Sequence, residues 1–267
     1  MRIKKATEQN RAEINNYLNT DAEINTFLLA DILHYGFESD FQEVWISYKN
    51  GKMNGVILRY SADYLFYTRA GISDFEPVTN FLLEQSPASI HMRGELADTF
   101  LPYLSEYNKH SMTLCRLDDF TLLSEHSEAA QLAATSEALE IAEQFFKIDE
   151  LTELYMYDAD TLAEIIRNRI NSGEGLHMYI RNGGEIAAHG NIGAMAEKSA
   201  FINAVFTLPQ FRGRGYAKTI VSALCRYLLE RGKTPVLSFD NPDAGRLYYK
   251  LGFKQFDRWV IFTRKKQ

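Results

Sequence analysis

The sequence predicts an α/β (α+β) protein in which two halves of similar topology follow one another along the chain. A strand-like run, a glycine–arginine loop, an amphipathic helix and a second strand-like run succeed one another over residues 201–239. Two strand–turn–strand patterns are centred on Asn50 and Asn182, which are 132 residues apart. Between them, residues 124–138 are rich in Glu, Ser and Ala, as in a linker or a surface helix.

The first half alternates short helices and strands. Asn50-Gly51 favours a two-residue hairpin turn between two of the strands. The apolar periodicity predicts helices over 11–18, 23–33, 77–83 and 96–104, and strands over 44–48, 55–60, 64–68, 89–92 and 111–117.

The second half repeats this outline. Strands predicted over 177–181 and 186–192 flank the turn Asn182-Gly183-Gly184. Pro77 and Pro209 are again 132 residues apart. The repeated spacing predicts an internal duplication, with two copies of one strand–helix topology.

A chain of 267 residues is long enough for one large domain or two small ones. The duplication favours two, with a first domain over 1–125, a linker over 126–137 and a second domain over 138–267. A single large domain is the alternative that the sequence leaves open.

Composition narrows the class of protein. The chain is 46% hydrophobic and carries a net charge of -6, which suits a buried core and argues against a general nucleic-acid binder. Cys115 and Cys225 form no disulfide or zinc pattern, and Met1 to Thr7 contain no apolar signal-peptide region. We therefore expect a cytoplasmic protein with no metal, no nucleic-acid partner and no membrane span.

The glycine–arginine loop, residues 210–217, lies between a predicted strand and a predicted helix. Glycines allow the backbone to approach a ligand, and the first amides of a helix attract an anion. Arg212 and Arg214 add positive charge, so the loop is a candidate site for a phosphate or pyrophosphate. It lacks the third glycine of a dinucleotide fingerprint and the Gly-Lys-Ser/Thr of a Walker loop. An ordinary surface loop is the alternative.

A second motif follows the buried strand predicted over 235–239. Gln-x-x-Gly-x-Gly at 210–215, followed by Asn-x-x-Ala-x-x-Leu-Tyr-x-Lys-x-Gly-Phe at 241–253, resembles the GNAT superfamily of acyl-CoA-dependent N-acyltransferases. The resemblance covers the chain from about Ala138 onward. The first half resembles a degenerate GNAT-like domain, and its counterpart of the loop, around Asn80-Phe81-Leu82-Leu83, has neither glycine nor arginine.

The resemblance implies two tandem GNAT-like domains, each with a mixed, largely antiparallel sheet flanked by helices. It implies that acetyl-CoA or another acyl-CoA is the co-substrate, and that backbone groups of Val205, Phe206 and Thr207 pair with the pantetheine arm. One amide there would polarise the acyl carbonyl. Asn241 is implied as a further contact of the arm, with a helix cap as the alternative. The implied phosphate contacts come from Gln210, Arg212, Gly213, Arg214, Gly215, Tyr216 and Ala217.

Two side chains are candidates for proton transfer. Tyr248 matches the tyrosine that protonates the departing thiolate in many relatives, and a core aromatic residue is the alternative reading of it. The strand over 200–207 carries no carboxylate, so His189 on the preceding strand is the candidate general base. A core or surface histidine is the alternative, and Asp240 with a chain of waters is another possible base.

The predicted function is direct transfer of an acyl group from acyl-CoA to a primary amine of a small molecule or peptide, within a ternary complex. The protein is expected to be a monomer or a homodimer. A non-catalytic acyl-CoA sensor is one alternative, favoured by the missing carboxylate and disfavoured by Tyr248. An aminoacyl-tRNA-dependent acyltransferase is another, disfavoured by the negative net charge.

Overall fold

The computed structural model describes residues 1–69, 75–148 and 158–265. The chain forms two compact units. The first unit contains Met1–Cys115, Ser238–Asp240 and Gln255–Gln267, and the second contains Arg116–Leu237 and Asn241–Lys254. The division of the sequence into 1–125, 126–137 and 138–267 stays a prediction.

The helices and strands predicted for the first half are present. The predicted helix over 96–104 ends at Phe100 and continues as a 3-10 turn over Leu101–Tyr103. The helices are α1 (Arg11–Leu18), α2 (Thr26–Tyr35), α3 (Glu76–Glu84) and α4 (Gly94–Phe100). The strands are β1 (Arg2–Lys5), β2 (Gln42–Lys49), β3 (Lys52–Tyr60), β4 (Asp63–Tyr67), β5 (Ser89–Arg93) and β6 (Tyr107–Leu117).

The second half contains the predicted strands, whereas α5, α6 and β7 were not predicted. β7 lies in the segment 124–138, for which a linker or a surface helix was predicted. The helices are α5 (Ala138–Phe145), α6 (Ala159–Ser172), α7 (Tyr216–Leu229) and α8 (Pro242–Lys250). The strands are β7 (Gln131–Leu132), β8 (Leu176–Asn182), β9 (Glu185–Met195), β10 (Ser199–Thr207), β11 (Thr234–Phe239) and β12 (Phe253–Arg264).

The duplication is visible in the order of the elements. Over the described residues, each half reads strand, two helices, three strands, helix, strand, helix, strand. The hairpin turns that predicted it adopt the left-handed conformations such turns need, with φ of 52° at Asn50, 75° at Gly51, 63° at Gly183 and 89° at Gly184. The fold is therefore α/β, with two tandem copies of one topology.

The sheet of the first unit has the strand order β1-β2-β3-β4-β5-β12-β6. β4 and β5 run parallel, whereas β12 pairs antiparallel with β5 from Trp259 opposite Arg93 to Thr263 opposite Ser89. Val260 and Phe262 of β12 lie in the core of this unit, in the same apolar cluster as Phe66 and Phe100. The last strand of the second half therefore completes the sheet of the first unit.

The sheet of the second unit has the order β11-β10-β9-β8-β7. Adjacent strands of this sheet run antiparallel, except for β10 and β11, which run parallel. Helices α5 and α6 bury Ile141, Phe145 and Ile166 in a cluster with Ile186 and Phe206 of the sheet. The sheet is mixed and largely antiparallel, as predicted.

Gly252, at the end of the second motif, shows why that motif requires a glycine. Its φ is +92°, and a Cβ there would overlap the backbone carbonyl oxygen of Asp119. The Gly252 carbonyl accepts hydrogen bonds from the amides of Asp118 and Asp119, at 3.0 and 3.1 Å. The residue therefore joins the end of α8 to the backbone of 118–119.

We expect Gly252→Ala to lower the free energy of unfolding more than Gly232→Ala does. Both glycines have a positive φ, but a Cβ at Gly232 would meet nothing within 4 Å. Left-handed strain costs about 1–2 kcal/mol in each variant, and the overlap at Gly252 adds about 1–3 kcal/mol. Urea unfolding of the two variants measures the difference, and equal losses would contradict this role for Gly252.

Candidate active site

Strand β10 carries a bulge near its C-terminal end. Its register against β9 shifts between Asn203 and Phe206, so that Ala204 and Val205 stand opposite Gly190 alone. Ala204 has φ of 48°, the left-handed region that a non-glycine residue rarely adopts. The bulge turns the backbone groups of these two residues out of the regular ladder.

Beyond its first residues, β10 has no strand on its other side. It pairs with β11 from Ser199 opposite Thr234 to Phe201 opposite Val236. No pairing to β11 is present over residues 202–207 within the described chain. The predicted cofactor contacts Val205, Phe206 and Thr207 therefore lie on a strand end whose backbone groups are available on the β11 side.

The glycine–arginine loop connects this strand end to α7. Pro209–Phe211 form a 3-10 turn, after which Gly213 and Gly215 adopt φ of +80° and +81°. A Cβ on either glycine would meet no protein atom within 4 Å. The glycines are therefore required by backbone conformation, and the space beside them is open to a ligand.

The charges of the loop are on the surface. Arg212 donates from Nε to the carbonyl of Thr207 at 3.2 Å, and the guanidinium of Arg214 lies 5.5 Å from the centre of the Phe211 ring. No carboxylate among the described residues pairs with either arginine. Both guanidinium groups keep donors that an anion can use.

The loop ends at the N-terminus of α7. The first backbone hydrogen bond of the helix runs from the Thr219 amide to the Gly215 carbonyl, at 3.1 Å. The amides of Tyr216 and Ala217 precede it, and such amides have no partner inside a helix. The Tyr216 hydroxyl accepts a hydrogen bond from Asn182 at 2.7 Å, which fixes the first helical turn against the hairpin.

Close packing sets the position of α7 against the sheet. A Cβ at Gly190 would lie 2.6 Å from Ile220 Cγ2 and 3.3 Å from Val205 Cγ2. Because Gly190 of β9 has no side chain, α7 can approach β9 closely beside the bulge. Gln210 lies at the other end of the loop, with its amide 3.4 Å from a carboxylate oxygen of Glu185.

Tyr248 lies in the interior of the second unit. It is 7% exposed, and its ring centre is 5.9 Å from that of Phe253. Burial, with a smaller contribution from Cys225, raises the pKa of the Tyr248 phenol to about 12. The phenol is therefore neutral at neutral pH and carries a proton to donate. The neighbouring Tyr249 is 47% exposed.

Asn241 caps α8. Its side-chain oxygen accepts a hydrogen bond from the Asp243 amide at 2.9 Å, and Pro242 occupies the first helical position. The cap that the sequence offered as an alternative is thus present. A contact between Asn241 and a cofactor stays a prediction.

His189 is fully buried, in the core position that was the alternative to a general base. Its ring lies 5.2 Å from the rings of Phe145 and Phe206. Nδ1 is 3.0 Å from the carbonyl oxygen of Ala204, and Nε2 is 2.9 Å from Nδ1 of His177. Burial lowers the pKa of His189 to about 4. Both ring nitrogens are therefore engaged inside the protein.

His177 was not predicted to be near His189, because no local pattern in the sequence indicates it. A regular hairpin continuing from Asn182 opposite Glu185 would place His177 and His189 on opposite faces of the sheet. An extra residue on β9 shifts the register after Arg181, so that Tyr179 stands opposite His189. The two imidazoles then share one face. Burial, followed by the neighbouring His189 and Arg169, lowers the pKa of His177 well below its ordinary value.

Asp240, the other candidate base, belongs to the first unit. Its carboxylate is 3.1 Å from Nε2 of His110, and both side chains are more than half exposed.

Within the described part of the first half, β4 is the counterpart of β10 and has no bulge. β4 pairs with β3 in unbroken register from Tyr60 opposite Asp63 to Val56 opposite Tyr67. Tyr67 is 1% exposed and donates a hydrogen bond to Asp21. The strand end that corresponds to the bulge of β10 is thus regular.

Neither a metal site nor a membrane helix is found in the part of the chain that the structure describes. No group of three or more His, Cys, Asp or Glu side chains is placed to hold a metal ion over residues 1–69, 75–148 and 158–265. No helix in those ranges has the length and apolar character needed to cross a membrane.

Comparison with known families identifies the domain that contains the site. Residues 137–253 match the model of the acetyltransferase (GNAT) family. Residues 137–253 are a GNAT domain. The match includes the bulged strand, the glycine–arginine loop and Tyr248.

Curated relatives and solved structures agree with this assignment. Aminoglycoside N(6')-acetyltransferase type 1 of Salmonella typhimurium strain LT2 is 35% identical over 69 residues, which are 25% of this chain and 47% of that protein. The chain thus spans about half the length of the curated relatives it matches.

Two solved structures cover nearly the whole chain. A GCN5-related N-acetyltransferase from Sphaerobacter thermophilus matches with a TM-score of 0.64 and 15% identity, over 100% of this chain and 96% of that one. A tandem GNAT protein from the clavulanic acid biosynthesis pathway matches with a TM-score of 0.63 and 11% identity, over 98% and 97%. At these identities the likeness shows the fold, which is that of two tandem GNAT-like domains.

The buried histidines predict an acid dependence of stability. The pKa of His189 is about 4 in the folded protein, against an ordinary value of 6.5. Between these values the unfolded chain binds more protons, so the free energy of unfolding falls as the pH is lowered from 6.5 towards 4. His189→Asn removes the titrating ring and should reduce this fall by up to about 3 kcal/mol.

Urea unfolding at a series of pH values measures the effect. His91 in the first unit also has a pKa lowered by burial, to about 4, so the variant is expected to keep part of the acid dependence. An unchanged slope in His189→Asn would contradict the buried, neutral state of His189.

Proposed function

We propose that the second unit is an acyl-CoA-dependent N-acyltransferase, with acetyl-CoA as the first candidate co-substrate. The observation that carries this proposal is the continuity of the site. A bulged strand end with available backbone groups leads directly into a glycine–arginine loop at a helix N-terminus. One surface thus offers hydrogen bonds to an extended amide-containing arm and then an anion cradle to its phosphates.

The residues present fit the proposed co-substrate. The open space beside Gly213 and Gly215 leaves room for a pyrophosphate, which the amides of α7 and the two arginines of the loop would bind. The strand end from Val205 to Thr207 would pair with the pantetheine amides. When bound, acyl-CoA supplies an activated thioester for attack by an amine.

Tyr248 is proposed as the general acid. Its phenol is neutral at neutral pH and can donate its proton to a developing thiolate. The Val205 amide is proposed as the donor to the acyl carbonyl, because Val205 lies in the bulge, on the part of β10 that has no pairing with β11.

A non-catalytic acyl-CoA sensor is the second candidate. It is favoured by the burial of His189, since the strand over 200–207 carries no carboxylate to act as a base in its place. A sensor would bind acyl-CoA without transferring the acyl group. Release of free thiol from acetyl-CoA in the presence of an amine separates the two.

The choice of amines for that assay follows from the relatives. Aminoglycosides are the first amines to test, because a relative that is 35% identical over 69 residues is an aminoglycoside acetyltransferase. Polyamines, amino acids and peptide N-termini complete the panel. Thiol release that depends on one amine would support the enzyme, and acetyl-CoA binding with no release across the panel would favour the sensor.

We expect Gly215→Val to weaken CoA binding at least tenfold, about 1.4 kcal/mol. A branched side chain is disfavoured at φ of +81° and would fill the space assigned to the pyrophosphate. Gly232→Val is the matched control, because Gly232 also has a positive φ with open space but lies beyond the opposite end of α7.

Calorimetry with CoA on the intact chain measures both affinity and stoichiometry. One site per chain is expected, because β4 over Asp63–Tyr67 has no bulge, and the predicted counterpart of the loop, around Asn80-Phe81-Leu82-Leu83, has neither glycine nor arginine. Undiminished affinity in Gly215→Val, or two equivalent sites, would contradict the proposed binding site.

We expect Tyr248→Phe to lower the turnover by about 10²–10⁴-fold, the usual worth of general acid–base catalysis. Affinity for CoA should stay nearly the same, because only the hydroxyl is removed. Tyr249→Phe removes the same group from the exposed neighbouring residue and is expected to keep the wild-type turnover. Equal turnover in the two variants would contradict the general-acid role and leave Tyr248 as a residue that packs in the core.

A further inference from the structure

Two buried imidazoles lie in line behind the bulge of β10. His189 is 0% exposed and His177 is 2% exposed. The carbonyl oxygen of Ala204 is 3.0 Å from Nδ1 of His189. The other ring nitrogen of His189, Nε2, is 2.9 Å from Nδ1 of His177. The pair of imidazoles therefore connects the interior of the sheet with the residue that forms the bulge.

The atoms at each end determine where the protons are. A carbonyl oxygen can only accept, so Nδ1 of His189 carries the hydrogen. A neutral imidazole has one N–H, so Nε2 of His189 accepts and Nδ1 of His177 donates. Nε2 of His177 is then unprotonated, and among the described residues it is buried without a partner. The two neutral tautomers are thus fixed by one carbonyl.

The surroundings of the pair favour the neutral state. Phe145 and Phe206 pack against His189, at 5.2 Å between ring centres. Arg169 on α6, whose guanidinium donates to the Gly193 carbonyl, is the charged group that acts on His177 within the described chain. Its positive charge disfavours a second positive charge nearby.

The hydrogen bond fixes the direction of the next amide. In a trans peptide the C=O and the following N–H point in opposite directions. Because the Ala204 carbonyl is held towards the His189 ring, the N–H of Val205 points away from that ring. The bulge that carries this amide lies beyond Phe201, where β10 has no pairing with β11.

We propose that His189 is a positioning residue, which holds the Ala204 carbonyl so that the Val205 amide can donate a hydrogen bond to the acyl carbonyl of the thioester. His177 fixes the tautomer of His189. This role rests on the proposed function of the second unit. It replaces the role of general base for His189, because both ring nitrogens are used inside the protein.

The bulge needs such support. Ala204 has a left-handed φ of 48°, which strains a residue that carries a side chain. Without the hydrogen bond from His189, the partly buried carbonyl would lose this partner and the strand would gain by relaxing towards a regular register. The Val205 amide would then lose the direction that this hydrogen bond gives it.

The test uses the intact chain and acetyl-CoA labelled with ¹³C at the acetyl carbonyl. Infrared spectroscopy of the bound thioester reports its hydrogen bonding directly and needs no acceptor amine. The wild type is expected to lower the C=O stretching frequency relative to free acetyl-CoA. His189→Leu, which has no donor, should abolish that shift while affinity for unacetylated CoA stays within about threefold.

His189→Asn is the matched variant. Its amide places an N–H near the position of Nδ1, so it should keep most of the carbonyl shift. Where an acceptor is known, the turnover of His189→Leu should fall by up to about 10²-fold, the worth of one donor to a developing oxyanion. A role in stability alone would leave the carbonyl frequency of both variants at the wild-type value.

A second measurement needs no variant. ¹⁵N NMR of histidine in the wild-type chain reports which ring nitrogen carries the hydrogen. Nδ1–H tautomers for both His189 and His177 are expected, and this measurement decides the matter if His189→Leu does not fold. An Nε2–H tautomer of His189, or a wild-type carbonyl shift in folded His189→Leu, would overturn the positioning role alone. Failure of the wild type to bind CoA would overturn the proposed function, and this role with it.

Discussion

A strand can offer its backbone to a ligand only where a neighbouring strand is missing, and the site depends on this constraint. In β10 the pairing with β11 stops at Phe201, and a bulge follows at Ala204 and Val205. The loop, the helix N-terminus and the close approach of α7 at Gly190 are all placed relative to that strand end. A ladder that continued to Thr207 would use the same amides and carbonyls inside the sheet, and the surface would have little to offer a ligand.

The two halves differ little at the strand that is proposed to bind the co-substrate. β4 and β10 occupy the same place in the repeated topology, and both are followed by a helix. β4 keeps an unbroken register against β3, and its buried Tyr67 bonds to Asp21. One extra residue in β10 therefore distinguishes the two copies as much as the glycines of the loop do. The repeated topology provides the scaffold of both copies, and a local irregularity marks the copy for which the chemistry is proposed.

Local signals in the sequence were sufficient to predict the hairpins and the glycine–arginine loop. Asn50-Gly51 predicted a hairpin, and two glycines that alternate with two arginines predicted a loop at a helix N-terminus, because these residues limit the backbone directly. The bulge was not predicted, since nothing in the identity of Ala204 indicates a left-handed conformation. The pairing of His177 with His189 depends on a register shift in a hairpin, and the place of β12 depends on contacts distant in sequence. Such long-range pairing leaves no local pattern.

The position of β12 has a consequence for how the protein is made. The first unit contains residues from both ends of the printed sequence, since Gln255–Gln267 belong to it and Val260 lies in its core. During synthesis, β5 is translated long before β12, its partner in the sheet, so the backbone groups on that edge of β5 stay unpaired until then. The first half therefore cannot reach its final form until nearly all of the second has been translated. Recombination that exchanged one half for a homologous one would also have to match a strand carried by the other.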